Sequence, residues 1–207
     1  MKVLILTKSA KHGEYCVAGI NLDNMAWVRL VSSDKSTMYA LTREMVEYAT
    51  GEECRVLDVI DVLTVEEKPL EIQRENVLID EKYYFEYKAT CSAGDLERFV
   101  CNDRYIFGNH YSYIDKETAL ECGCSLRLFE VENLELVENT NNQNQKRRKV
   151  NFRYNGHDYN GISMTDYEFY NYPLGHVADK AYIVVSIPED DYNGNYYKFV
   201  AKIFIKE

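Results

Sequence analysis

The chain has 207 residues and is poor in the residues that punctuate or staple structure: it holds 3 prolines, 10 glycines, 4 histidines and 1 tryptophan. Neither G-x-G-x-x-G nor G-x-x-x-x-G-K-[ST] can be written around Gly13, Gly19 or Gly51, so the common phosphate-cradling loops are missing. His12, His110, His157 and His176 are scattered, with no H-x-x-x-H spacing, which excludes a two-histidine metal site on a helix. The tightest cysteine spacing is Cys122-Gly123-Cys124, with Cys91, Cys101 and His110 upstream. Structural zinc sites use two knuckles of C-x₂₋₄-C spacing, and none occurs here, so no metal and no cofactor is expected. Long apolar runs are missing too. After Met1-Lys2 the run Val3 to Leu6 stops at Thr7 and Lys8, too short for a secretory leader or a membrane span. The expectation is a cytoplasmic protein without membrane contact, whose six cysteines (Cys16, Cys54, Cys91, Cys101, Cys122 and Cys124) stay reduced.

What the chain does have is tyrosine. Hydrophobic residues make up 46%, enough for a packed core, and 18 of the aromatic side chains are Tyr against 8 Phe. A tyrosine joins a flat apolar face to a polar tip; it suits strands first and base-stacking surfaces second. The net charge of −10 is unevenly spread. Residues 1–43 carry a net +3, residues 44–140 a net −14 and residues 141–207 a net +1. Uniform acidity would repel nucleic acid, whereas acidity confined to one segment leaves other faces available.

Hydrophobic periodicity gives the element order. Val3–Lys8, Tyr15–Ile20 and Ala26–Val31 are apolar runs of strand length separated by turn residues. Met38, Leu41, Met45 and Ala49 recur at helical spacing, with Ser36 or Thr37 as cap and Gly51 as terminator. Val56–Val65 and Tyr83–Lys88 follow as strands. Residues 93–124 form a connector in which Asp95–Val100 is a short helix. The last third repeats the pattern with Leu126–Val137, Val150–Tyr154, Tyr159–Met164, Ala181–Ile187 and Tyr196–Ile205, and Asn155-Gly156 is its best hairpin turn. The expected fold is mostly β: two OB-like five-stranded antiparallel barrels, 1–92 and 125–207, with a short helix in the first and a partly helical connector.

Two constellations could bind an anionic ligand. Lys8, Ser9 and Lys11 end the first strand, and Trp27 and Arg29 lie two apart in the third, hence on one face. A flat ring beside a guanidinium suits base stacking with phosphate contact. The second is the basic run Lys146, Arg147, Arg148 and Lys149, which leads from the Asn/Gln-rich stretch Thr140–Gln145 into a strand bearing Arg153 on the face of Lys149 and Asn151. Catalytic readings are thinner. Thr165-Asp166 with Ser186 and Lys198 has no spacing that holds a nucleophile against a base, and Asp166 reads as a turn cap. Asp58 and Asp61 are three apart in a strand, so they face opposite sides, as solvated charges of an edge strand.

Lys8-Ser9-Ala10-Lys11, Tyr15-Cys16-Val17-Ala18-Gly19-Ile20 and Trp27-Val28-Arg29-Leu30-Val31-Ser32 resemble the opening of the bacterial dual OB-containing domain family. Val150-Asn151-Phe152-Arg153-Tyr154-Asn155-Gly156, Ile162-Ser163-Met164-Thr165-Asp166, Val185-Ser186-Ile187 and Tyr197-Lys198-Phe199-Val200-Ala201 resemble its second half. The resemblance implies nucleic-acid-binding OB modules in bacterial conflict and genome-defence settings. The leading expectation is a non-enzymatic module for single-stranded nucleic acid or a nucleotide. A protein–protein adaptor that docks through the barrel faces and the acidic middle is the alternative, and a nucleotide-processing enzyme is the third reading.

Overall fold

The computed structural model describes residues 1–11, 13–140 and 145–206, and of Ala10 and Lys11 the backbone alone. The chain divides into two compact units, Met1–Asp95 and Leu96–Glu207. Both are built mostly of strands. Among the described residues no helix is long and apolar enough to cross a membrane. All six cysteines are free thiols.

The first unit holds β1 (Lys2–Lys11), β2 (Glu14–Asn21), β3 (Ala26–Val31), β4 (Asp58–Asp61), β5 (Thr64–Glu67), β6 (Asn76–Ile79) and β7 (Glu86–Thr90). They form a seven-stranded sheet in the order β5-β6-β3-β2-β1-β4-β7. β1 to β3 are an antiparallel meander, β3 runs parallel to β6, and β4 returns antiparallel to β1. Only Val62 and Leu63 separate β4 from β5. The Val62 amide donates to Met1 O at 2.9 Å, and Leu63 O accepts the Asp80 amide at 2.9 Å. Residues 58–67 are therefore one bent segment that pairs with β1 at its start and with β6 at its end.

Alternation sorts the side chains: Val3, Ile5, Val17, Val28, Leu30, Ile60 and Ile79 share one buried cluster with Leu41, Val46 and Phe85. At about 25 cal/mol per Å² of apolar surface, such burial drives folding. Gly19 is fixed by the β1 contact. A Cβ there would lie 1.9 Å from Leu4 O, so any side chain would part the strands.

The helix expected over 36–51 is absent. Residues 35–39 are turns, and only Glu44–Val46 forms a short 3₁₀ turn in this stretch. The Asp34 carboxylate accepts from the Ser36 amide and hydroxyl at 2.8 and 2.7 Å, while Met38 and Tyr39 take positive φ of 56° and 65°. A local side-chain turn has displaced the helix cap. Leu41 instead bridges antiparallel to Tyr15, and Gly51 does end a turn, at φ +83°. Asp58 also departs from expectation. It is buried, and its carboxylate accepts from the Tyr48 hydroxyl (2.7 Å), the Arg55 amide (2.8 Å) and the Thr90 hydroxyl (2.9 Å). Those three donors take the place of solvent.

The second unit contains β8 (Tyr113–Ile114), α1 (Lys116–Glu121), β9 (Leu126–Thr140), β10 (Lys146–Tyr154), β11 (His157–Met164), β12 (Gly175–Ser186), β13 (Tyr196–Tyr197) and β14 (Phe199–Ile205). Five of these close a barrel in the order β10-β11-β14-β12-β9, and β8 pairs with β13 outside it. β9 to β11 are an antiparallel meander, β11 runs parallel to β14, and β12 lies antiparallel to both β14 and β9. The Asn155-Gly156 turn that joins β10 to β11 has φ of 48° and 78°, as the sequence predicts for a tight hairpin.

After the third barrel strand, Asp166 caps the 3₁₀ turn Tyr167–Phe169 by accepting the Glu168 amide at 3.1 Å. It also accepts the Ile203 amide at 2.9 Å and pairs with buried Lys202 at 3.3 Å. The cap reading of Asp166 holds. Its ionic partner is Lys202; Lys198 lies in a different network, described below. Residues 96–124 pack within this unit: the Cys101 amide donates to Leu128 O at 2.7 Å, and the Lys198 amide to Ser112 O at 2.8 Å.

Candidate nucleic-acid interface

The first predicted constellation is pulled apart by burial. Arg29 is 5% exposed. Its guanidinium meets Glu75 at 3.2 Å and Cys16 Sγ at 2.8 Å. Glu75 is as deeply buried as its partner, so this pair faces the interior and presents no cation to solvent. Ser9 is buried as well. The Lys8 ammonium is spent on Glu53 (2.6 Å) and Cys54 O (3.0 Å), above the Tyr15 ring. Trp27 stays half-exposed. The Lys11 side chain and His12 lie outside the described residues. The face that carries Arg29 on β3 and Ala18 on β2 is buried, so these two strands offer no open stacking platform around the guanidinium.

The basic run has a different fate. It opens β10, paired residue by residue with β9: Lys146 opposite Thr140, Arg147 opposite Asn139, Arg148 opposite Glu138 and Lys149 opposite Val137. Lys146 bonds Glu138 at 2.8 Å, Arg148 donates to Tyr172 O at 2.6 Å, and Lys149 donates to Gly161 O at 3.0 Å. Arg147 is exposed, and its guanidinium donates to the Gln145 side-chain oxygen at 2.9 Å. Val150, Phe152 and Tyr154 point into the barrel, so Lys149, Asn151 and Arg153 point outward, as alternation predicts. Arg153 is exposed and donates to Gly156 O at 3.2 Å, at the hairpin end of the strand. Residues 141–144 of the Asn/Gln-rich stretch lie outside the described residues.

At that hairpin end the structure assembles a feature that sequence reasoning missed. Seven rings follow one another over the surface of the second unit. Tyr105 lies 4.8 Å from His157, and His157 is stacked on His110 at 5.9 Å. His110 meets Tyr111 at 4.4 Å, and Tyr111 stacks on Tyr113 at 6.2 Å. Tyr113 meets Tyr197 at 5.7 Å, and Tyr197 meets Tyr192 at 6.3 Å. His110, Tyr111, Tyr113 and Tyr192 are exposed; the other three rings are half-buried. The Arg104 guanidinium covers Tyr105 at 5.1 Å, and Arg153 borders the turn that carries His157. Cations therefore flank one end of the strip. The other end abuts the acidic Glu189-Asp190-Asp191 stretch beside Tyr192.

Asn109 holds the strip in place. Its backbone carbonyl accepts from the Tyr159 hydroxyl at 3.2 Å and from Lys198 Nζ at 2.8 Å. Its side-chain oxygen accepts from Lys198 Nζ at 2.8 Å and from the Tyr111 amide at 3.0 Å, while its amide nitrogen donates to Tyr113 O at 3.1 Å. Tyr159 is fully buried and stacked on Phe152 at 5.2 Å, and its hydroxyl also accepts the Ile106 amide at 3.0 Å. The turn beneath is tight: Phe107 and Gly108 have φ of 48° and 82° in succession. A β-carbon at Gly108 would press to 2.8 Å from the Thr118 methyl. Burial drags the Lys198 ammonium down to about 7, against an ordinary value of 10.5. Rings fixed by buried hydrogen bonds lose little freedom when a ligand arrives.

Among the described residues no group of three or more His, Cys, Asp or Glu side chains is arranged to hold a metal. Burial raises the Cys54 thiol to about 12, and it pushes Cys101 and Cys122 up as well, so none of these three is primed as a thiolate nucleophile.

Comparison with curated proteins finds no match, and neither does comparison with solved structures. The family model described as "Dual OB-containing domain" matches residues 1–203, and the chain belongs to that family.

Proposed function

We propose that both units are OB-type barrels and that the second binds single-stranded nucleic acid, with bases on the ring strip and phosphates along β10. Support for the fold comes from the repeated pairing order. In each unit three strands meander, the third runs parallel to a later strand (β3 to β6, β11 to β14), and the next strand (β4, β12) returns to the first of the three. OB barrels bind oligonucleotides on the second and third strands and on the loops after the first and fourth. In the second unit those parts are β10, β11 and residues 187–198, which supply Arg153, His157, Tyr192 and Tyr197.

One observation carries the functional reading: an ordered, largely exposed run of seven rings with arginines at one end. Bases stack on such rings without regard to sequence, because every base has a π-face. The family supports an oligonucleotide ligand in general. Single-stranded preference and a cytoplasmic, bacterial, defence-related setting remain part of the proposal.

The test is titration with single-stranded DNA and RNA at two salt concentrations. Tyr111 is exposed and its side chain supports no buried group, so Tyr111→Ala should leave the melting curve unchanged. It should weaken single-strand binding by about 1–3 kcal/mol, the range for one base–aromatic stack. Replacing Arg147, Lys149 and Arg153 by Gln should flatten the salt dependence by roughly 0.7 in log–log slope for each phosphate that is no longer neutralised. Wild-type affinity in both variants would remove the second unit as the site. Failure of the wild type to bind any strand at low salt would favour the adaptor reading.

A further inference from the structure

The ring strip is electrically lopsided, and its acidic end is as firmly built as its rings. Tyr192 opens a tight turn: its amide donates to Asn195 O at 2.8 Å, and Asn193 and Gly194 take φ of 53° and 79°. The Asp191 carboxylate accepts the Gly194 amide at 2.6 Å, which fixes that charge beside Tyr192, and Asp190 is exposed next to it. Two segments carry this end of the strip, residues 108–115 and 187–197. They contain Asp115, Glu189, Asp190 and Asp191 and no lysine or arginine. Lys198, the next residue, is buried and turned onto Asn109; Lys116, on the other flank, begins α1 and is followed there by Glu117. The opposite end differs. Asp103 is paired with Arg127, Asp158 lies 4.0 Å from Arg153, and Arg104 is exposed over Tyr105.

On the reading that the strip stacks bases, we infer that its ligand is the end of a single strand. The terminal nucleotide, with no phosphate on its outer side, rests at Tyr192, and the phosphates run back towards Arg104, Arg153 and β10. Every internal nucleotide has a phosphate on each side. A strand that continued past Tyr192 would bring its next phosphate to Asp190 and Asp191. Like charge repels it there, and neither segment supplies a cation to offset the repulsion. A terminal hydroxyl carries no charge and can donate a hydrogen bond to a carboxylate. The rings alone would accept any stretch of a strand, because every base has a π-face. The carboxylates select the end.

The test uses the whole protein and four single strands of one sequence, each just long enough to cover the rings. One has hydroxyls at both ends, one a 5′-phosphate, one a 3′-phosphate and one both. A phosphate at one end only is expected to weaken binding about fivefold at low salt, and the difference should shrink as salt screens it. The end that responds gives the polarity of the bound strand; a phosphate at the other end lies towards the arginines and should not weaken binding. Asp190→Asn with Asp191→Asn keeps an oxygen for the Gly194 amide and should bring the penalised strand within about twofold of the hydroxyl strand. The inference is overturned if neither phosphate weakens binding, if both weaken it alike, or if the double variant still discriminates as the wild type does. Should the double variant not fold, Asp190→Lys leaves the turn bond of Asp191 in place, and an unchanged penalty there overturns the inference equally. Tyr111→Ala separates this inference from the reading beneath it. Equal binding of all four strands, each weakened by Tyr111→Ala, would sink the selection of an end and leave the strip intact. A wild type that binds none of the four would sink both.

Discussion

Arg29→Ala is expected to lower the unfolding free energy by about 3–5 kcal/mol, the range for breaking a buried ion pair by removing one partner. Arg29 and Glu75 have side chains only 6% and 4% exposed, and the guanidinium also reaches Cys16 Sγ. Alanine would leave the Glu75 carboxylate buried without this cation, in surroundings that solvate it poorly. The pair spans β3 and the residue just before β6, so its loss strikes the parallel junction at the heart of the first unit. Arg29→Lys should recover only part of the loss, because one ammonium cannot reproduce a guanidinium that meets two partners through separate nitrogens. Denaturant melts of the three proteins measure this directly. A change below about 1 kcal/mol for Arg29→Ala would mean that the pair is far better hydrated than its burial implies. Strand binding by the second unit should persist where Arg29→Ala remains folded. That outcome separates a structural arginine from the phosphate-contacting one that the sequence suggested.

The same residue shows where sequence patterns stop being informative. Trp27 and Arg29 do share a face, as their spacing requires. Whether that face is wet depends on Glu75, 46 positions away, which no local window contains. Strands were legible where alternation was strong and turns were local: Ala26–Val31 has the bounds its sequence suggests, and the β10–β11 hairpin turns at Asn155-Gly156. β6 was not legible, because Asn76–Ile79 is a four-residue run whose strand character comes from parallel pairing with the distant β3. The helical spacing of Met38, Leu41, Met45 and Ala49 was real but lost to side-chain turns around Asp34. The ring strip was invisible for a topological reason. Its members come from residues 105–113, from position 157 and from 192–197, joined only when β8 pairs with β13 and the hairpin folds back. One local sign was available: Tyr105, Phe107, His110, Tyr111 and Tyr113 put five rings into nine residues of the expected connector. The basic run of β10 was legible as charge, while its commitment to β9 and its pairing with Glu138 were not.

Lys198 should make stability rise with pH above neutrality. Its folded value of about 7 lies below the ordinary 10.5 that it regains on unfolding. Between those two values the unfolded chain holds one more proton than the folded one, so stability increases with pH across that interval. Below pH 7 both states are protonated and the full burden of a buried ammonium is present. Each unit of difference is worth about 1.4 kcal/mol, so the burden amounts to several kcal/mol, of which roughly 1–2 kcal/mol is relieved between pH 7 and pH 8.5. Cys101 and Cys122 act in the opposite sense as pH climbs towards 9, since burial raises their folded values and the unfolded thiols ionise first. The comparison must therefore be made against Lys198→Met, which keeps the cysteines and removes the amine. Denaturant melts at pH 7 and pH 8.5 should show the wild type gaining roughly 1–2 kcal/mol on the variant. Equal pH profiles would mean that Lys198 is solvated in the folded protein. Oligonucleotide binding supplies a second readout. Lys198 Nζ holds both oxygens of Asn109, whose side chain in turn accepts from the Tyr111 amide and donates to the Tyr113 carbonyl. Lys198→Met should therefore loosen the strip and speed ligand dissociation even at a pH where it no longer changes stability. A dissociation rate equal to the wild type's would show that the strip keeps its order without that amine.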